Sequence, residues 1–239
     1  MFLRLVWFRG SYGYGSKHTI HDLNYHRLGM HNNTPGLEEF SQALSDNASF
    51  YGVDIDDELI SRFADYYQLL NTWNPRLHLV APCSPDEFAT RHILESLLLL
   101  QRLPESARVV DVGSGAGLPI IPCLIARPDL SAVLIESSPR KAVFLREALR
   151  LNENSGSAEV VAKRFEDVST PPADFITSRA LDRFAEILPA LIEWSPRPSR
   201  LLLFGGENLK RRLDSLNQEF AEHPIPRSEK RFLFVVERK

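Results

Sequence analysis

The chain has 239 residues, 44% of them apolar and 25% charged, with a formal charge of −3 at neutral pH. Length and apolar share suit one globular domain with a large core, or a core domain with a small accessory part. The charge excludes a global pull toward nucleic acid, so an RNA or DNA contact has to come from a local basic patch. The two cysteines, Cys83 and Cys123, have no metal-ligand spacing, which points to a reduced, cytoplasmic chain without a metal site.

The opening "MFLRLVWFRG" begins like a secretory leader, but Arg4 breaks its apolar stretch. Residues 1–36 gather His18, His21, His26 and His31 with no sustained periodicity, and read as a disordered tail rather than a metal site. Met30 is a candidate initiator within it. From residue 37 to residue 104 the pattern is helical. In "DELISRFADYYQLLNTW", Leu59, Phe63, Tyr66, Leu70 and Trp73 form one apolar stripe. An irregular stretch, "NPRLHLVAPC", follows. "SPDE" then opens a second helix, with Ser84 as N-cap, Pro85 in the first turn and Glu87 closing a capping box. That helix is expected to reach Gln101. Its apolar run "LESLLLLQRL" is too short to span a membrane and is flanked by charge.

Past residue 105 short apolar strands alternate with helices. The strands are "ARVVDVG", "SAVLIES", "AEVVAKR", "DFITSRA", "RLLLFGG" and "RFLFVVERK". The helices are "LPIIPCLIARP", "SPRKAVFLREALRLN", "LDRFAEILPALIEW" and "ENLKRRLDSLNQEFAE". This rhythm predicts an α/β domain over 105–239, a Rossmann-like, mostly parallel sheet covered by helices on both faces.

The first strand ends in "DVGSGAGLP", a turn at the place where open α/β sheets bind ligands. A dinucleotide turn asks for G-x-G-x-x-G, and Leu118 stands where its last glycine belongs. Gly113, Gly115 and Gly117 give G-x-G-x-G after Asp111, the spacing of an S-adenosylmethionine (AdoMet) site in class I methyltransferases. Glu136, closing the second strand, suits a pair of ribose hydroxyls in either ligand class. Three readings remain at this point: AdoMet, a dinucleotide, or a turn that holds nothing. The spacing favours AdoMet.

"NTWN", "RHILESL", "VVDVGSGAGLPIIP", "LIES", "KRFED" and "ITSRA" occur in that order. Together they resemble the RsmG (GidB) family of bacterial 16S ribosomal RNA methyltransferases, over roughly residues 55–239. The resemblance implies a class I methyltransferase sheet with an antiparallel last strand. It also implies transfer of a methyl group from AdoMet to N7 of a guanine in the 530 loop of 16S rRNA. The chain would act as a monomer on the small subunit or an assembly intermediate, with neither DNA nor membrane as partner. Gly113 and Leu118 would contact AdoMet, Phe165 and Glu166 would lie at its adenine, and Arg179 would face both cofactor and active site. Arg91 and His92 would point into the same cleft. The plain structural roles for these last three are a solvated charge (Arg91), an interfacial histidine (His92) and an ion pair with Glu166 or Asp111 (Arg179).

Guanine N7 is a bare lone pair, so its methylation needs positioning and no general base. Arg62, Arg76, Arg140, Lys141, Arg146, Lys210, Arg211 and Arg212 are candidate phosphate contacts. Phe63, Tyr66, Tyr67 and Trp73 could stack a base, but their helical spacing reads as core. Some positions depart from the family pattern: Glu95 stands for an aspartate, Ile120 for a glycine and Asp182 for an alanine. Gly205 stands where a lysine is usual, and the last hairpin reads as trimmed. These departures keep two rivals in play, a methyltransferase of another substrate and a weakly active or non-catalytic AdoMet- or RNA-binding paralogue.

Overall fold

In a computed structural model of the chain, residues 36–151, 158–179 and 184–239 are described. The expected tail with its four histidines and Met30 falls outside the described residues, as does the segment 180–183 with Asp182.

Among the described residues three helical stretches precede the sheet. The first, α1, is Leu37–Asn47, followed by a 3₁₀ turn at Ala48–Tyr51. Next, α2 is Asp57–Leu77, capped where the Asp56 carboxylate accepts from Leu59 N–H at 2.8 Å. It runs a turn beyond the expected end at Trp73, through Pro75, and stops where His78 turns left-handed (φ 49°). The third run, α3, is continuous from Pro85 to Gln101 but changes pitch along the way. It is α at Pro85–Glu87, π at Phe88–Leu94, α at Glu95–Leu97 and 3₁₀ at Leu98–Gln101. Ser84 caps it as expected, accepting from Glu87 N–H at 3.1 Å. The Glu87 carboxylate, expected to close the box, turns to Arg91 instead.

Seven strands follow: β1 (Arg108–Val112), β2 (Ser131–Ile135), β3 (Ala158–Val161), β4 (Phe175–Arg179), β5 (Ser199–Gly205), β6 (Phe220–Pro224) and β7 (Phe232–Arg238). The sheet order is β3-β2-β1-β4-β5-β7-β6. The first five strands are parallel and β7 is antiparallel to β5, the arrangement expected of a class I methyltransferase. Between them run α4 (Ile120–Ala126), α5 (Pro139–Leu151), α6 (Phe184–Trp194) and α7 (Glu207–Ser215). One expectation is corrected here. The last helix stops at Ser215 rather than running to residue 222, because Asn217 takes φ 50°. The residues beyond it make β6, whose Phe220 meets Phe234 of β7 edge-on at 5.5 Å. The hairpin that reads as trimmed is therefore present, and the expected helix covers one of its strands.

The period-two alternation of strands divides the core into two layers. Val109, Leu202 and Phe204 face a cluster that continues through Phe40, Phe63, Leu97, Leu124 and Phe144, on helices α1 to α5. Val110, Val112, Leu201 and Leu203 face Leu188 and Leu191 of α6 and Leu209 and Leu213 of α7. With both faces covered, the carboxyl ends of the parallel strands form the rim where polar loops can gather.

Candidate active site

A cleft of about 1000 Å³ lies on that rim, walled by the loops after β1, β2 and β3, by the end of β4, by the start of α3 and by residues 78–83. Gly113, Gly115, Leu118, Glu136, Phe165, Glu166, Arg91, His92 and Arg179 all line it. Gly117 is not among the lining residues. A Cβ there would drive into Ile121, with Cγ1 at 2.7 Å, and its φ is +84°. Gly117 is bare so that the loop can close onto α4, the role a dinucleotide turn gives its last glycine. Gly115 also has a left-handed backbone, φ +51°, but its surroundings differ. A Cβ there would meet only the Gly113 carbonyl, at 3.7 Å, and otherwise enter open space.

The loop is held from two sides. Glu136 Oε2 accepts from Gly115 N–H at 2.8 Å, and Oε1 accepts from Ser138 N–H at 2.7 Å, which ties the glycine loop to the start of α5. From below, the Tyr66 hydroxyl donates to the Ala116 carbonyl at 2.6 Å. Tyr66, Phe63 and Tyr67 are buried, and Trp73 packs on Phe144 at 6.1 Å, so these rings are core and do not stack a base. Asp111 lies fully buried beneath the loop, and burial pushes its carboxyl up to about 8 against the opposing pull of the neighbouring Ser114 hydroxyl. On the far wall the 3₁₀ turn Phe165–Asp167 presents Glu166. The Phe165 ring is fixed edge-on against Trp194 at 5.6 Å.

Arg179 forms an ion pair, though with neither partner expected from the sequence. Its Nη2 donates to Glu95 at 3.2 Å and to the Arg91 carbonyl at 2.6 Å. That carbonyl lies in the π segment, where Glu95 N–H reaches back to Thr90 O and the ordinary helical ladder is displaced. Arg179 Nη1 is buried and has no partner among the described residues. The Arg91 side chain is exposed and pairs with Glu87, while its carbonyl holds Arg179. His92 is mostly buried, its Nδ1 has no partner among the described residues, and desolvation and the surrounding guanidiniums push its pKa down to about 3. Its ring is therefore neutral at physiological pH.

This shift has a measurable sign. Below the usual histidine range the unfolded chain binds a proton that folded His92 refuses, so stability falls as pH falls. His92→Gln removes that term. In urea unfolding from about pH 6.5 to 4, the wild type should lose about 1 kcal/mol per pH unit relative to the variant. Parallel stability curves would contradict the buried neutral ring.

The GidB family description, "rRNA small subunit methyltransferase G", matches residues 59–233. The chain belongs to the GidB family. Among curated members, the ribosomal RNA small subunit methyltransferase G of Rhodospirillum centenum is 38% identical, covering 71% of this chain and 80% of that one. Its counterpart in Ruegeria sp. is 32% identical, covering 74% and 87%. Two solved structures share the fold at low identity. Cofactor-bound Rv0187 from MTB has TM-score 0.56 and 17% identity, covering 88% of this chain and 100% of that chain. A SAM dependent methyltransferase from Aquifex aeolicus has TM-score 0.51 and 14% identity, covering 73% and 99%.

Within this GidB chain β5 ends at Gly205. A Cβ at Gly205 would meet Leu209 at 2.8 Å from its Cβ, so the α7 side chain occupies the space a lysine would need. Gly205→Lys should therefore lower thermal stability and leave methyl transfer no faster, in melting and turnover assays of the purified variant. A faster enzyme would show the pocket to be adaptable. Of the basic residues proposed from sequence for phosphate contact, Lys141 lines the cleft. Lys210 is paired with Glu222 at 2.6 Å, Arg146 donates to the Val160 carbonyl at 3.2 Å, and Arg211 bonds Asn208 at 2.6 Å. Lys163 and Arg164, which sequence reasoning passed over, stand exposed at the cleft. Asn74 was also missed. Its amide brackets Val80, accepting from Val80 N–H at 3.0 Å and donating to Val80 O at 3.1 Å, which fixes the 78–83 wall. Among the described residues, no helix is long and apolar enough to cross a membrane.

Proposed function

We propose that the chain methylates N7 of a guanine in 16S ribosomal RNA, in the 530 loop, within the small subunit or an assembly intermediate. Family membership gives the reaction class, AdoMet-dependent methylation of rRNA. The observation that supports this cleft as its seat is the convergence of three features. Gly115 leaves open space at its missing Cβ, Glu136 stands at the tip of β2, and Arg179 keeps a buried guanidinium nitrogen without a partner among the described residues. These residues fit AdoMet. Gly113, Gly115 and Leu118 would bed it, Glu136 would accept from ribose hydroxyls, Phe165 and Glu166 would border the adenine, and Arg179 would face its reactive end. When bound, AdoMet supplies a methyl group on a sulfonium centre.

The chain's own part is then positional. A guanine N7 attacks without losing a proton, so neutral His92 and the lack of a base in the reading are consistent with the chemistry. Arg179 can donate to the O6 edge of the base and leave N7 free. Holding the reactants in line contributes roughly 7–11 kcal/mol to such transfers. Lys141, Lys163, Arg164 and Arg91 offer cations at the mouth for RNA phosphates. On this reading residues 105–239 hold the cofactor and residues 37–104 supply the wall facing the RNA.

The test is incubation with tritiated AdoMet and unmethylated small subunits, followed by mapping of the label by cleavage at 7-methylguanosine. Label at one guanine of 16S RNA is expected. Label on another atom or another RNA would move the acceptor, and no label at stoichiometric enzyme would remove it.

A further inference from the structure

Arg179 reaches the cleft through a chain of contacts that begins on the C-terminal hairpin. Its guanidinium lies 5.6 Å over the Phe204 ring, and its Nη2 is shared between the Arg91 carbonyl and Glu95 Oε2. The other oxygen of Glu95 accepts from Arg231 Nη2 at 2.6 Å. Glu95 is only 1% exposed, and two guanidiniums share it. Rotation about the terminal bond of a glutamate is soft, so one contact at 3.2 Å would leave the carboxylate free to turn. The shorter bond from Arg231 fixes its plane and with it the direction of Arg179. Arg231 directly precedes β7, where Phe232 pairs with Gly205. A Cβ at Gly206 would lie 2.8 Å from the Lys230 carbonyl, so the bare backbone there lets the 230–231 segment come close.

We propose that Arg231 is a positioning residue of the methyl-transfer site, acting through Glu95 to orient the Arg179 guanidinium in the cleft. This rests on the reading of the cleft given above.

The electrostatics agree with the geometry. Burial favours the neutral acid form of Glu95, and the charges of Arg179 and Arg231, with Arg91 after them, oppose it. Also facing this cluster are His92, which stays neutral, Tyr51, whose hydroxyl is pushed up by its own burial and then by Glu95, and Tyr66 beside Arg179, whose hydroxyl burial keeps protonated. Losing Arg231 removes one of the two contacting cations, so Glu95 takes up its proton at higher pH. Activity that needs an ionised Glu95 is lost as pH falls, and that loss should begin earlier in the variant.

The experiment compares wild type, Arg231→Gln and Arg231→Lys as full chains on small subunits, with kcat, KM and a pH–rate profile, alongside AdoMet affinity by calorimetry. Arg231→Gln should lower kcat roughly 10- to 100-fold, the scale of a small misplacement at a reacting centre. Its acid limb should move to higher pH. Arg231→Lys, which keeps the charge but not the planar fork, should keep the wild-type acid limb and recover part of kcat. Wild-type kcat and an unmoved acid limb in Arg231→Gln would overturn the proposal. Should Arg231→Gln fail to fold, Arg231→Lys decides: reduced kcat in a folded chain upholds the role, and wild-type kcat overturns it. A wild-type chain that labels no 16S RNA defeats the methyl-transfer reading itself. One that labels it while Arg231→Gln labels as fast defeats only the role of Arg231.

Discussion

Gly115→Val should abolish AdoMet binding in calorimetry while the chain still folds. The backbone at Gly115 has φ +51°, so any side chain there carries a left-handed cost of about 1–2 kcal/mol. Sterically the protein itself tolerates the change, since an added Cβ meets only the Gly113 carbonyl at 3.7 Å. The branched side chain would instead fill the cleft beside Glu136, whose carboxylate bonds the residue's own N–H. Affinity is expected to fall at least 100-fold, about 2.7 kcal/mol or more, with a modest drop in melting temperature. Gly117→Ala makes the contrast. Its Cβ would strike Ile121 and lie 3.2 Å from Leu145, so stability should fall more than in Gly115→Val, with no methyl group placed in the cleft. Unchanged AdoMet affinity in Gly115→Val would show that the ligand does not use this loop.

Much of this arrangement can be read from the sequence, because it depends on local signals. The strand–turn–helix rhythm after residue 105 and the G-x-G-x-G spacing place the sheet and the cleft floor, since a buried parallel strand and a tight turn each leave a short-range mark. Glu136 is found for the same reason, one residue past an apolar run. What escapes the sequence is contact between distant segments. Glu95 sits in "HILESLLLL", a carboxylate among leucines, and such a residue needs a buried partner. Nothing in the sequence says that the partners are Arg179 and Arg231, 84 and 136 positions away. The π segment is equally silent, because its displaced ladder is set by what the freed carbonyl meets. Asn74 leaves only a polar residue near a helix end, and β6 only five residues with weak alternation next to a charged helix. Gly117 shows the limit of spacing: its missing Cβ lets the turn close onto Ile121, and a glycine pattern cannot tell a close helix from a close cofactor.

Removing the Glu95 carboxylate should cost more stability than any other single change considered. Glu95→Ala leaves the Arg179 and Arg231 guanidiniums adjacent, with Arg179 Nη1 and Arg231 Nε already buried without partners among the described residues. Breaking a buried ion pair from one side typically costs about 3–5 kcal/mol, against a total of roughly 5–15 kcal/mol for a folded domain. The loss arises less from the missing attraction than from two desolvated cations left facing each other. Glu95→Gln tests this account, because it keeps the shape and one acceptor while removing the charge. It should fall between wild type and Glu95→Ala in urea unfolding at constant m-value. The pairing also predicts non-additivity. In the double variant Glu95→Ala/Arg231→Ala one of the repelling cations is gone, so its destabilisation should be smaller than the sum of the two single changes. An additive cycle would mean that water screens the cluster and that Glu95 and Arg231 act independently. A Glu95→Ala chain within about 1 kcal/mol of wild type, inside the range of an exposed pair, would carry the same implication for Arg179.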